Sequence, residues 1–235
     1  MVKLIAKITL ILSLCTTSFL AKAQIGYDYA QYDIGTAVGL NTAVMADVNT
    51  LRIAPSIHFN FNYNQSPYVN YVLELQVGRL EGGDSVKSSS GRQFENHFTS
   101  FLFRAQLQAG EFIDYSASPF MNVMKNWYVS TGVGYIANHI VAKSLDKRNP
   151  AYAVGDNNAQ TLFIPARLGY EFKIYNDYNQ PSVKIDIGYQ YNFVFSDNLD
   201  GYSTQASNKD AYAQLTIGVK FAIGGVTSYR KQIHY

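Results

Sequence analysis

Cysteine is nearly missing from this chain: there is one, Cys15, in a segment that reads as a removed leader, so neither a disulfide frame nor thiol chemistry is expected in the mature protein. Charge is scarce as well. Charged side chains make up 15% of the sequence, against about 25% in ordinary soluble domains. A formal net charge of +2 offers nucleic acid no basic surface, and no nucleic-acid partner is expected. Past the N-terminus no run of about 18 apolar residues occurs, which excludes a membrane-spanning helix and leaves strands as the means of insertion. The histidines His58, His97, His139 and His234 lack metal-ligand spacing, so no metal and no other cofactor is expected.

At the N-terminus, Lys3 and Lys7 precede the apolar run Ile8 to Leu14 and a small-residue site, Ala21-Lys22-Ala23. This is the layout of a secretory signal peptide over residues 1–23. A lipoprotein reading around Cys15 is disfavoured by the bulky Leu14 directly before it.

What the chain has in abundance is aromatic residues, 19 tyrosines and 14 phenylalanines, and alternation. In Val183–Phe195, seven odd positions (Val183, Ile185, Ile187, Tyr189, Tyr191, Phe193, Phe195) are all apolar or aromatic, while Lys184, Asp186, Gly188, Gln190 and Asn192 lie between them. A period of two belongs to a strand with one wet and one oily face. Thirteen residues at ~3.3 Å each, tilted by ~45°, span about 30 Å, the thickness of a bilayer's hydrocarbon core.

The same pattern predicts further strands over 32–40, 51–63, 68–80, 97–109, 126–137, 160–174 and 211–223, with a short helix at Pro119–Met124. Connections alternate between short turns and long polar loops, except that the one from Gly110 to Lys125 is longer than a turn. The expectation is an all-β, eight-stranded antiparallel up-and-down transmembrane barrel over 24–223, followed by a tail, 224–235. It would sit in the outer membrane of a Gram-negative bacterium, with lipid and the barrel-insertion machinery as partners.

Alternation alone cannot say which face is wet, because a soluble barrel alternates too. The polar set favours a crowded lumen: it is glycine-rich and holds Arg52, Glu74, Arg104, Arg167, Glu171, Lys173, Lys184, Asp186 and Lys220. Aromatics gather at the two ends of the apolar set, Tyr63, Tyr71, Trp127, Tyr170 and Phe172 on one side and Tyr135, Tyr189, Phe193 and Phe195 on the other, as interface girdles do. The last strand carries Thr216, Gly218, Phe221 and Ile223, spaced as in the insertion signal of outer-membrane barrels.

An eight-stranded barrel is just wide enough for its own side chains. The lumen charges are therefore expected to form a paired, hydrogen-bonded plug, with Glu74 and Arg104 as one pair. Ser56, His58 and Glu74 could be drawn as a nucleophilic trio, but they point inward, and no catalytic residue is assigned. His97 and Thr99 form a weaker candidate. Ser196–Gly201 has acidic oxygens without the calcium-loop pattern and reads as a solvated loop.

From Tyr71 onward the order of segments resembles small outer-membrane barrels of the OmpA type, and especially the PorG-like components of type IX secretion. The residues that carry the resemblance are Phe103-Arg104-Ala105-Gln106-Leu107-Gln108, Gly132-Val133-Gly134-Tyr135, Phe163-Ile164-Pro165 leading to Gly169-Tyr170, and Gly188-Tyr189 leading to Phe195-Ser196-Asp197-Asn198-Leu199-Asp200. It implies an integral outer-membrane protein that anchors periplasmic secretion components. The expected role is non-enzymatic, structural or docking; the alternative is a narrow channel or an adhesin using the outer loops.

Overall fold

Period-two sequence becomes a wall whose alternate residues face opposite ways. In the computed structural model, which describes residues 24–44, 52–86, 91–116, 118–144, 156–196, 198–202 and 209–232, this wall consists of β1 (Gln24–Val44), β2 (Ile53–Asn64), β3 (Val69–Gly83), β4 (Gln93–Gln108), β5 (Trp127–Lys143), β6 (Asn158–Tyr175), β7 (Pro181–Val194) and β8 (Ala211–Gln232). Each strand pairs with its chain neighbours, and β1 pairs antiparallel with β8, so the sheet closes. The expected signal peptide lies outside the described residues.

Exposure settles the question of faces. Val38, Ile57, Phe101 and Ile217 are each about half exposed (57%, 51%, 53% and 50%), while His58 and Arg104, on the other face, are 1% exposed. A soluble barrel would reverse this, because burying oily side chains is what drives its folding. Here the oily band faces out and its polar neighbours are enclosed. The lower edge of the band carries stacked rings: Tyr32 on Phe61, Tyr63 on Tyr71, and Tyr71 on Phe103, with Trp127 edge-on to Tyr170.

The two prolines inside strands, Pro55 and Pro165, sit where one ladder is interrupted, while Pro181 opens β7. The β2–β3 register stops at Ser56↔Gly78, one residue before Pro55. The β5–β6 register is broken between Thr131↔Ala166 and Gly134↔Phe163, around Pro165, since proline donates no ladder hydrogen bond.

The connections at one end are short (65–68, 176–180) or structured (109–126), and those at the other end are long (45–52, 84–92, 144–157, 195–210). The structured one holds a 3-10 turn, Ala109–Glu111, and helix α1, Pro119–Met124. Pro119 suits the first turn of α1, and Ser118 Oγ caps it by accepting from Met121 N at 3.2 Å.

Strands β1 and β8 are longer than expected. β2 pairs with β1 only from Tyr32, and β7 pairs with β8 only up to Phe221, yet β1 and β8 stay paired down to Gln24↔Gln232, past a bulge between Ala30 and Tyr32. The segment read as a tail after Ile223 therefore continues β8, and β1 starts well before Tyr32. Gly224 and Gly225 interrupt the local alternation, whereas the pairing that holds this segment joins opposite ends of the chain.

Candidate functional site: the barrel lumen

Enclosed side chains fill the lumen in layers. Beneath the long loops the inward phase turns apolar: Leu80, Phe94, Phe98, Leu102, Ile136, Phe163, Val194 and Tyr212 form one buried cluster. The connection after β7 folds into this mouth, placing Leu199 and Tyr202 in the same cluster. Asn96 Nδ2 donates to Leu199 O at 2.6 Å, and the Tyr202 hydroxyl lies 2.9 Å from Gln93 O and 2.7 Å from Ser144 O. The stretch read as a solvated loop is thus partly a buried lid. Its Asp200 Oδ1 accepts from Tyr202 N, and Asp210 Oδ2 accepts from Leu199 N, so these oxygens shape a turn.

Below lies a polar layer. Glu74 Oε2 accepts from Arg104 Nη2 at 2.7 Å, and Arg104 Nη1 reaches across the lumen to Gln190 Oε1 at 3.0 Å. Glu74 Oε1 takes Gln76 Nε2 at 2.7 Å and stands 2.9 Å from His58 Nδ1. His58 Nε2 is 2.8 Å from Ser56 Oγ, which donates to Asn41 Oδ1 at 3.0 Å. The trio drawn from the sequence is therefore assembled, but it is packed shut: a Cβ at Gly39 would lie 2.5 Å from Ser56 Oγ, and Glu74 is already committed to Arg104.

Nearer the short turns the charges pair. Arg167 binds Asp186 directly, and its Nε donates to the Tyr128 hydroxyl at 2.8 Å. Lys220 Nζ bridges Asp186 and Glu171, each at 2.9 Å. Lys184 Nζ donates to Asp33 Oδ2 at 2.6 Å. From Asp33 a chain runs through Asn64, Asn70 and Gln108 to Glu171, in links of 2.9, 2.6, 3.3 and 3.1 Å, so strands on opposite sides of the barrel are tied together. Lys173 Nζ closes the floor, donating to Pro67 O at 2.8 Å and Gln108 Oε1 at 2.7 Å while standing 4.8 Å over the Tyr68 ring. Tyr68 in turn meets Tyr115 and Tyr229. Outside the barrel wall, Lys125 stands 4.9 Å over the Tyr115 ring, and burial lowers its pKa. A buried ion is tolerable only with partners of this kind.

Of the charges expected in the lumen, Glu74, Arg104, Arg167, Glu171, Lys184, Asp186 and Lys220 are brought into these networks. Arg52 is not. It precedes β2, is half-buried, and among the described residues has no ion-pair or hydrogen-bond partner. Asp33, Tyr128 and Gln108 are additional members, and each shares the inward phase of its strand. Thr216 and Gly218 face inward while Phe221 and Ile223 face out, 52% and 40% exposed. His97 and Thr99 face outward, into a groove of about 850 Å³ shared with Arg79, His139 and Asn158.

Glycines on the inner face leave space for neighbouring side chains. A Cβ at Gly134 would lie 2.3 Å from the Phe163 ring, and one at Gly188 would lie 2.5 Å from the Arg167 guanidinium.

Among the described residues no helix is long and apolar enough to cross a membrane, and no three His, Cys, Asp or Glu are placed to hold a metal. A closed cylinder with an oily exterior and a paired ionic interior defines an integral eight-stranded β-barrel of the outer-membrane type. No protein-family model matches the chain, and no curated protein does. Solved structures do match. Neisserial surface protein A shares 12% identity over 84% of this chain and 99% of its own, with a TM-score of 0.47. Ail, the attachment invasion locus protein of Yersinia pestis, shares 11% over 82% and 99%, with a TM-score of 0.44. OprG of Pseudomonas aeruginosa shares 9% over 83% and 98%, with a TM-score of 0.37.

Proposed function

We propose that this protein is a non-enzymatic outer-membrane anchor, a barrel whose work is done at its rims rather than through its centre. One observation carries the reading: the lumen is occupied from mouth to mouth, by the Leu199 and Tyr202 lid, the Glu74–Arg104–Gln190 crossing and the Asp186–Lys220–Glu171 bridge. A through-pore would have to break buried ion pairs. The long loops face outward and the short turns face the periplasm, the usual asymmetry of such barrels.

On the periplasmic side, the β1–β8 ribbon and the connection carrying α1 extend beyond a plain turn. A docking role for periplasmic components, including those of a secretion apparatus as the PorG-like resemblance implies, is consistent with that elaboration. The spacing of Thr216, Gly218, Phe221 and Ile223 fits handling by the insertion machinery.

Planar-bilayer recording tests the plug, with no discrete conductance steps expected from the purified protein; steady openings would refute it. Pull-down from envelopes tests docking. A specific periplasmic partner should be retained by the full chain and lost on truncating Gly110 to Lys125 or removing the ribbon. A second reading, surface adhesin, draws on the outward groove lined by Arg79, His97 and His139.

A further inference from the structure

Helix α1 is six residues long, and none of them is buried. Phe120 is 67% exposed and Val123 56%, while Phe112, just past the 3-10 turn, is 73% exposed. A helix this short is marginal in water, since helices draw most of their stability from packing an apolar face against something else. Phe120, Val123 and Met124 do share one side of α1, at spacings of three and four residues, with Asn122 on the other. That side calls for a cover.

Where the helix is held names the cover. The Tyr170 hydroxyl donates to Val123 O at 3.0 Å and Glu171 N to Asn126 O at 3.2 Å, which fixes the connection against the outside of the wall. Val123 borders a groove of about 520 Å³ whose other side is Trp127, Leu168, Tyr170 and Phe172. Phe112 borders a second, of about 200 Å³, with Leu107, Val129 and Leu168. These neighbours belong to the oily band, and Phe172 and Ile174 still face out beyond Tyr170 on β6. The band therefore runs past the point where the helix is attached. The carboxylates of the connection are engaged elsewhere, Glu111 Oε2 with Ser66 Oγ at 3.2 Å and Asp114 Oδ1 with Ser116 Oγ at 2.6 Å.

We propose that the connection between β4 and β5 is an interfacial anchor: the apolar side of α1, together with Phe112, enters the lipid leaflet beside the short turns, and acyl chains fill the two grooves. On the orientation given above this is the periplasmic leaflet. Asn122 and Ser116, both exposed, stay toward water. The inference needs only the lipid-facing band, so it stands or falls apart from the docking of a periplasmic protein.

Quenching by brominated lipid tests it in the full chain. Trp127→Phe removes the one tryptophan, and Phe120→Trp or Phe112→Trp then places a single reporter on the connection. In phosphatidylcholine vesicles with brominated acyl chains, emission from either should fall at least about twofold, and more with bromine near the headgroup than deep in the chain, because such faces sit ~5–10 Å into the headgroup and acyl boundary. Val38→Trp, in the oily band, should be quenched as well, whereas Val86→Trp, exposed in an outer loop, should respond to aqueous iodide alone. Reporters at 112 and 120 that iodide reaches and brominated lipid does not would overturn the anchor. Shielding from both quenchers would overturn it too, by putting a second copy of the chain on this face. Access to iodide in vesicles with shielding in native outer membranes would give the face to a protein partner instead of lipid. Lipid quenching without any partner in the pull-down would leave the anchor standing and docking refuted.

Discussion

The two halves of the lumen solve one packing problem with opposite chemistry. Beneath the outer loops, Phe94, Phe98, Leu102, Ile136 and Phe163 pack as an ordinary core under Leu199 and Tyr202. Toward the short turns the space is filled by Arg167, Asp186, Lys220, Glu171, Lys184 and Asp33, each with an opposite charge at bonding distance. The outer half is held by burial, which is non-directional. The inner half is held by pairing, in which every member depends on a particular partner. The apolar half should therefore tolerate substitutions of similar volume, and the ionic half should not.

The sharpest way to break this comparison is Glu74→Ala, which strands Arg104 with Gln190 as its remaining bonded partner. We expect a loss of about 3–5 kcal/mol, read by urea unfolding in micelles through Trp127, the chain's one tryptophan. Adding Arg104→Met should restore most of that loss; if it does not, the layer is not held by pairing. Leu102→Ala, in the apolar half, should cost roughly 2–5 kcal/mol through the cavity it leaves, and Leu102→Met should recover nearly all of it. A loss in Leu102→Met as large as in Leu102→Ala would mean that both halves are equally particular.

Gly134→Ala and Gly188→Ala set the halves side by side, since each adds a methyl beneath a large lumen side chain, Phe163 or Arg167. We expect about 1–3 kcal/mol for each. The Gly188 variant alone should alter the environment of Tyr128, which bonds Arg167, and tyrosine ultraviolet difference spectra would report this. Smallest is Tyr202→Phe, which removes a hydroxyl that holds the lid to Gln93 and Ser144. It should cost about 1 kcal/mol and leave bilayer conductance at baseline, because the ionic half still fills the bore. Conductance from this variant alone would place the seal entirely in the lid.

The sequence reading and the fold agree most closely in β2, β3, β6 and β7, where alternation runs without interruption. They part at Arg52, placed among the lumen charges though it precedes β2. At β5 they agree on the faces, with Trp127 outward, but the reading did not name Tyr128, which is bonded to Asp186 at 3.0 Å and belongs to the ionic layer. Asp33 shows the same limit. It sits among small residues in β1, and its partner Lys184 lies 151 positions away.

Alternation and loop lengths pointed to the strand count and the antiparallel up-and-down order, and the charged inner set with the aromatic girdles pointed to the face given to lipid, because side chains in a strand point up and down in turn whatever surrounds them. Tertiary structure decided which charge meets which, that the apolar members of the inward phase gather under a lid, and that β1 and β8 continue as a ribbon. Those outcomes depend on contacts between residues far apart in the chain, and a period of two carries no information about distant partners.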